Sequence, residues 1–277
     1  MASGYRPVEG KAQRREALKA VYEQARGCVL CPQLAATRQS VVFGAGNSDA
    51  ELMFVGEAPG ANEDKQGLPF VGQAGKLLDR LLDEIGLARG DVFIANVLKC
   101  RPPGNRDPHP AEIDNCQGYL MRQVELIEPK VLCTLGNFAT KLLRADPTGI
   151  TRLHGQVEER LIGPRRVRLL PLFHPAAALY TPRMLETLRE DFARLPALLA
   201  LPPLDQSRAG ETKLPVADPP RALPEASRPP GESPAPGQSP APGESPAPGE
   251  SPAGGASPAG ASPAPTEPVS PPQLGLF

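Results

Sequence analysis

ELMFVGEAPGANEDKQGLPFVGQAGKLLDRLLDEI (51–85) holds a strand, a long loop and a helix in succession. ELMFVG (51–56) is a short unbroken apolar run of the kind buried on both faces of a sheet, and it ends at the Pro59-Gly60 turn. From 73 onward Leu77, Leu78, Leu81, Leu82 and Ile85 recur at three- and four-residue intervals, which is one face of a helix. Downstream, DVFIANV (91–97), KVLCTLG (130–136) and VRLLPLF (167–173) repeat the strand signal, with helical stretches at 110–127, 137–144 and 182–195. Upstream, Ala17, Leu18, Val21 and Tyr22 share a helical face within 11–25, and Gly27 stops that helix just before Cys28. Apolar strands alternating with helices predict an α/β domain, a three-layer α/β/α arrangement around a mostly parallel sheet. In such sheets ligands collect beyond the carboxyl ends of the strands, so the site is expected there.

Composition changes near position 200. Of the chain's 36 prolines, 21 lie in 201–277, where imperfect repeats begin at Ser233, Ser239, Ser245, Ser251, Ser257 and Ser262. This segment has too little apolar surface to offset the entropy of ordering it, so 201–272 is expected to be a disordered Pro/Ala/Gly/Ser-rich linker. Residues 1–200 are expected to form one domain with a substantial core. The tail carries four Lys/Arg against eight Asp/Glu and the rest 26 against 23, a split of −4 and +3. A mildly positive globular part is compatible with nucleic acid but common among cytosolic enzymes. No apolar stretch has the length of a membrane span, and MASGYRPVEGKAQRREALKA has no signal-peptide core. The expected compartment is the reducing cytosol, where five cysteines read as metal chemistry before disulfides.

Cys28 and Cys31 form a C-x2-C pair, and Cys100 and Cys116 a wider second pair. Four thiolates suit one metal centre. A zinc ribbon would close with a second short knuckle, whereas a cubane cluster tolerates dispersed ligands, and spacing alone leaves zinc and cluster equally open. Cys133, inside VLCTL, reads as a small core residue. The segment 56–79 has five glycines and two prolines, which let backbone approach a ligand closely, and Phe70 offers a flat apolar surface. It lacks the spacing of a P-loop or a dinucleotide fingerprint.

Taken in order, the C-x2-C pair, GEAPG (56–60), EDKQGLPFVGQAGKLLD (63–79), NVLKCRPPGNRDP (96–108), Cys116 and HPAA (174–177) resemble the family 4 uracil-DNA glycosylases of the uracil-DNA glycosylase superfamily. The resemblance covers about residues 15–200. It implies a [4Fe-4S] cluster on Cys28, Cys31, Cys100 and Cys116, and a monofunctional DNA-repair enzyme that removes uracil from DNA and leaves an abasic site. It implies further that Gly56 and Ala58 line the substrate pocket, that Phe70 stacks on the base, and that Asn96 pairs with uracil O4 and N3–H. His174 would donate to uracil O2, and Glu57 would position water or stabilise the cationic sugar. A related family carries an aspartate at the place of Ala58. Leu179 is a candidate wedge into the vacated stack, with core packing as the equal alternative. Taken singly, Glu57 and Asn96 would read as capping side chains and His174 as a buried histidine. Lys99, Arg101 and Arg106 are candidates for DNA-backbone contact or a solvated surface.

The terminal Gln273-Leu274-Gly275-Leu276-Phe277 resembles the QL-x-LF peptide by which bacterial replication and repair proteins dock on the sliding clamp. Gln273, Leu274, Leu276 and Phe277 are its candidate contacts, with the linker as tether. The whole reads as a bacterial, cytoplasmic, nucleoid-associated monomer. Three rivals remain: a non-catalytic iron–sulfur module resembling phage-polymerase-associated domains, a relative removing other deaminated bases, and a zinc-stabilised structural protein.

Overall fold

The computed structural model describes residues 10–206; the linker beyond 206 and the terminal pentapeptide lie outside the described residues. Six strands form one sheet: β1 (Ala45–Gly46), β2 (Leu52–Gly56), β3 (Phe93–Asn96), β4 (Val131–Leu135), β5 (Glu158–Ile162) and β6 (Arg165–Leu172), in spatial order β1-β3-β2-β4-β6-β5. The four inner strands run parallel, and the two edges, β1 on β3 and β5 on β6, are antiparallel. The four apolar runs of the sequence are these inner strands. The edges carry weaker signals: β1 is two residues long, and β5 is the charged run EERLI, half-exposed as an edge strand is.

The helices are α1 (Lys11–Arg26), α2 (Pro32–Thr37), α3 (Ala61–Gln66), α4 (Gln73–Glu84), α5 (Pro110–Ile127), α6 (Asn137–Arg144), α7 (Ile150–Leu153), α8 (Pro175–Ala178), α9 (Pro182–Phe192) and α10 (Leu195–Leu199). None of the described helices is long and apolar enough to cross a membrane. Side-chain alternation along the strands produces two cores. Met53, Val55, Phe93, Ala95, Leu132 and Val167 face α1, α5 and α6, whereas Leu52, Phe54, Ile94, Val131, Cys133 and Leu170 face α4, α9 and α10. Both faces are therefore covered, which explains why the inner strands read as unbroken apolar runs.

The predicted helix 182–195 ends at Phe192, and a separate turn begins at Leu195. Pro196 has no N–H to continue the ladder and sits instead in the first turn of α10. The chain remains docked past α10: Arg168 Nη2 donates to Pro202 O at 2.9 Å, and the Gln206 amide bonds both backbone groups of Arg166, at 2.9 and 3.0 Å. This anchor lies at the amino end of β6, opposite the polar motifs.

Candidate active site

Gly56 and Asn96 end neighbouring parallel strands in direct register, and His174 follows β6. Gly136, the residue after β4, has φ +91°, and a Cβ there would stand 3.1 Å from His174 Cβ. Glycine thus lets the histidine lean across the end of β4. The strand ends open into a cavity of about 480 Å³ lined by Glu57, Ala58, Phe70, Asn96, Arg106 and His174. A second recess of about 690 Å³ lies beyond Glu57 and His174, toward Asp107, Phe138 and Lys141. The structure therefore brings Gly56, Glu57, Ala58, Phe70, Asn96 and His174 to one cleft.

Asn96 is 2% exposed, and its Oδ1 has no hydrogen-bond partner among the described residues. An unmet buried amide oxygen costs about 1–3 kcal/mol, and a group bringing an N–H into the cavity would remove that cost. Gly56 keeps the place open: a Cβ there would fall 2.4 Å from Asn96 Oδ1 and 2.8 Å from Phe70 Cζ. The Phe70 ring stacks at 5.6 Å and 25° on the His174 ring. Its backbone adopts φ +51°, which a bulky residue keeps only when its surroundings enforce it. The enforcement is visible. Arg89, paired to Asp79 at 2.9 Å, donates to the carbonyls of Phe70 (3.1 Å) and Pro69. Glu63 Oε1 accepts from Val71 and Gly72 N–H at 2.9 and 3.0 Å, at the amino end of α4. Gly75 admits the Phe70 carbonyl, which would stand 1.7 Å from any Cβ there. Sequence reasoning missed Glu63, Arg89 and Gly75; a glycine within an otherwise strong helical pattern was the one readable signal.

Ala176 N–H donates to His174 Nδ1 at 3.1 Å, so the neutral ring carries its proton on Nε2 and offers a donor. Burial pushes the imidazole pKa down to about 4 against the smaller opposing influence of Glu63, which keeps the ring neutral near pH 7. Glu57 is half-buried between the two recesses, and burial, then Asp107, hold its carboxyl above the ordinary range.

Cys28 and Cys31, on and beside the loop after α1, lie near enough to Cys100 and Cys116 for their charges to act on one another. Three donors point at their sulfurs: Arg38 Nη1 to Cys100 (3.2 Å), Lys99 N to Cys116 (3.3 Å) and Asn115 Nδ2 to Cys31 (3.6 Å). Donors aimed at sulfur suit thiolates. Burial pushes the thiols of Cys31 and Cys100 up and that of Cys116 up to about 12, so metal binding would supply the driving force to deprotonate these three. Among the described residues no three Cys, His or acidic side chains converge as a single-ion site. Cys133 is fully buried in the sheet, away from this group.

One surface assignment changes. Lys99 is 1% exposed and cannot reach a DNA backbone; its ammonium is enclosed next to Cys100 and Cys116. Leu179 is partly buried against the α4/α9 core, while its neighbour Tyr180 is 88% exposed. Arg106 lines the cavity and is paired to Glu112 through bonds of 2.6 and 2.9 Å, and Arg101 donates to Asn105 Oδ1 at 2.7 Å.

Residues 43–196 match the family model described as the uracil DNA glycosylase superfamily, and the chain belongs to that superfamily. A type-4 uracil-DNA glycosylase of Archaeoglobus fulgidus is 46% identical over 184 residues, covering 65% of this chain and 92% of the relative. Those of Saccharolobus solfataricus and Sulfurisphaera tokodaii are 45% and 44% identical, each over 68% of this chain and 88% and 87% of the relative. Within the superfamily, its place is with the type-4 enzymes.

Proposed function

We propose that this chain hydrolyses the N-glycosidic bond of deoxyuridine in DNA, releasing uracil and leaving an abasic site for base excision repair. The carrying observation is the unpartnered Asn96 Oδ1 set between Gly56 and the Phe70 ring. A uracil flipped from the stack lies on Phe70, its N3–H donates to Asn96 Oδ1, and its O4 accepts from Asn96 Nδ2. Cytosine presents an acceptor at N3 and a donor at the neighbouring position, so both contacts fail. His174 Nε2–H donates to O2, where charge collects as the C1′–N1 bond breaks and its electron pair enters the ring. Glu57, ionised, stabilises the cationic sugar and orients the water whose oxygen bonds to C1′. The water's proton passes to the departing uracil anion or to solvent. Among the described residues the cavity that holds Asn96 is lined by no lysine, and Lys141 lies in the second recess, so the reading is of a monofunctional enzyme that forms no Schiff base.

The pH profile tests these roles. His174 is already neutral above about 4, so no rate change should appear near 6.5, the ordinary imidazole value. Glu57 must be ionised, and its raised pKa places the acid limb above the ordinary carboxyl value of 4.5. Glu57→Gln should be slow and lack that limb. A limb near 6.5 that persists in Glu57→Gln would contradict the assignment of a neutral His174.

Cys28, Cys31, Cys100 and Cys116 would hold a [4Fe-4S] cluster. Four thiolates on zinc would all lie ~2.3 Å from one point, whereas a polynuclear cluster spreads its ligands, which fits a group of mutually sensing thiols with sulfur-directed donors. The cluster would serve structurally here, joining the loop after α1 to the 100–116 segment.

The terminal Gln273-Leu274-Gly275-Leu276-Phe277 docks on the bacterial sliding clamp in this reading, with the Pro-rich segment as tether and the enzyme acting as a monomer in the cytoplasm. Deleting 273–277 should abolish clamp binding in a pull-down while excision from free oligonucleotides stays unchanged. Retained clamp affinity would refute the docking role.

A further inference from the structure

Between the cysteine group and the end of β3 sits a lysine whose side chain is entirely inside the protein. Lys99 Nζ donates to the Asn96 backbone carbonyl at 2.7 Å and to Gln123 Oε1 at 2.6 Å, and it stands 5.8 Å from the centroid of the Phe43 ring. Gln123, fully buried, passes the chain on by donating to Phe43 O at 2.8 Å. At the other end of the same residue, Lys99 N–H donates to Cys116 Sγ at 3.3 Å, and Cys100 is the next residue.

Nζ has carbonyl acceptors and an aromatic face but no carboxylate among these contacts. The link to the cysteine group is made by the backbone of the same residue, through its N–H on Cys116 Sγ and its peptide bond to Cys100. On its acceptor side, the ammonium closes the turn from Asn96 to Lys99. The same turn is held against the loop after β2 by Val97 N to Gly56 O (2.9 Å) and Leu98 N to Glu57 O (3.0 Å). Any shift of this turn therefore moves Asn96 relative to Gly56 and Glu57 together.

We propose that Lys99 is a positioning residue that couples the ligated cysteine site to base recognition. The cysteine site fixes the Lys99 backbone through Cys116 Sγ, and Nζ holds the Asn96 carbonyl so that the side-chain amide stays aimed between Gly56 and Phe70. The proposal rests on Asn96 reading the base, and the test separates the two.

The experiment uses the full chain as isolated with its cluster and compares wild type, Lys99→Met, Asn96→Ala and the double variant. Three quantities are read: visible absorbance per protein, the midpoint potential of the cluster, and the Kd for free uracil by equilibrium dialysis. Lys99→Met should keep the absorbance and move the midpoint to more negative potential, because a positive charge beside the sulfurs is gone. It should weaken uracil binding about ten-fold, with no further weakening when added to Asn96→Ala. Wild-type uracil affinity in Lys99→Met, or an undiminished factor in the Asn96→Ala background, would overturn the coupling. Unchanged affinity in Asn96→Ala alone would overturn the base-reading role instead. Should Lys99→Met not accumulate folded, Gln123→Glu is nearly isosteric and sets a carboxylate against Nζ. It should move the midpoint in the same direction and weaken uracil binding, and no change in either would sink the proposal.

Discussion

Replacing His174 by alanine is expected to lower kcat for uracil excision by about 100- to 1,000-fold and to leave KM nearly unchanged. Ala176 N–H occupies Nδ1, which leaves Nε2–H as the ring's donor beside the cleft. Its proposed partner, uracil O2, is a weak acceptor in the substrate and a strong one as the glycosidic electrons arrive, so the interaction would grow along the reaction coordinate. Burial that keeps the ring neutral also prevents the bond from being spent on a charged ground state. Single-turnover and steady-state kinetics on a deoxyuridine oligonucleotide would check this. A variant with normal kcat and raised KM would mean that His174 only binds.

Gly56→Ala is expected to be nearly as damaging although it removes no functional group. The added methyl would stand 2.4 Å from Asn96 Oδ1 and 2.8 Å from Phe70 Cζ, so both the base-reading amide and the stacking ring must move. Misplacement of about 1 Å at such a site costs on the order of 100-fold, and kcat/KM should fall by roughly that factor. The strand itself tolerates alanine, since Gly56 has no left-handed backbone requirement. Circular dichroism should therefore stay native while activity falls, and a variant within about three-fold of wild type would show that the slot is not where uracil sits.

How much of this was readable beforehand depended on where the signal resides. The inner strands were legible because a strand covered on both faces must be apolar at every position, as LMFVG and VLCTL are. The edges β1 and β5 were not, because their pairing is decided by backbone partners distant in sequence. Gly56, Asn96 and His174 were locatable because each sits where a strand gives way to a loop. The support beneath Phe70 was hidden: Arg89 lies nineteen positions away and reaches the ring's backbone only through the packing of α4. Lys99 misled for a related reason. Near Arg101 and Arg106 it reads as a surface cation, and only the three-dimensional enclosure by Asn96, Gln123 and Phe43 reveals its place.

The central claim is tested most directly by incubating the full chain with a labelled oligonucleotide carrying one deoxyuridine, and a matched one carrying deoxycytidine, then treating with alkali. The account predicts alkali-dependent cleavage at deoxyuridine alone, none before alkali, and strong loss in Asn96→Ala. An intact deoxyuridine strand after incubation with cluster-loaded protein, or equal cleavage at deoxycytidine, would contradict it.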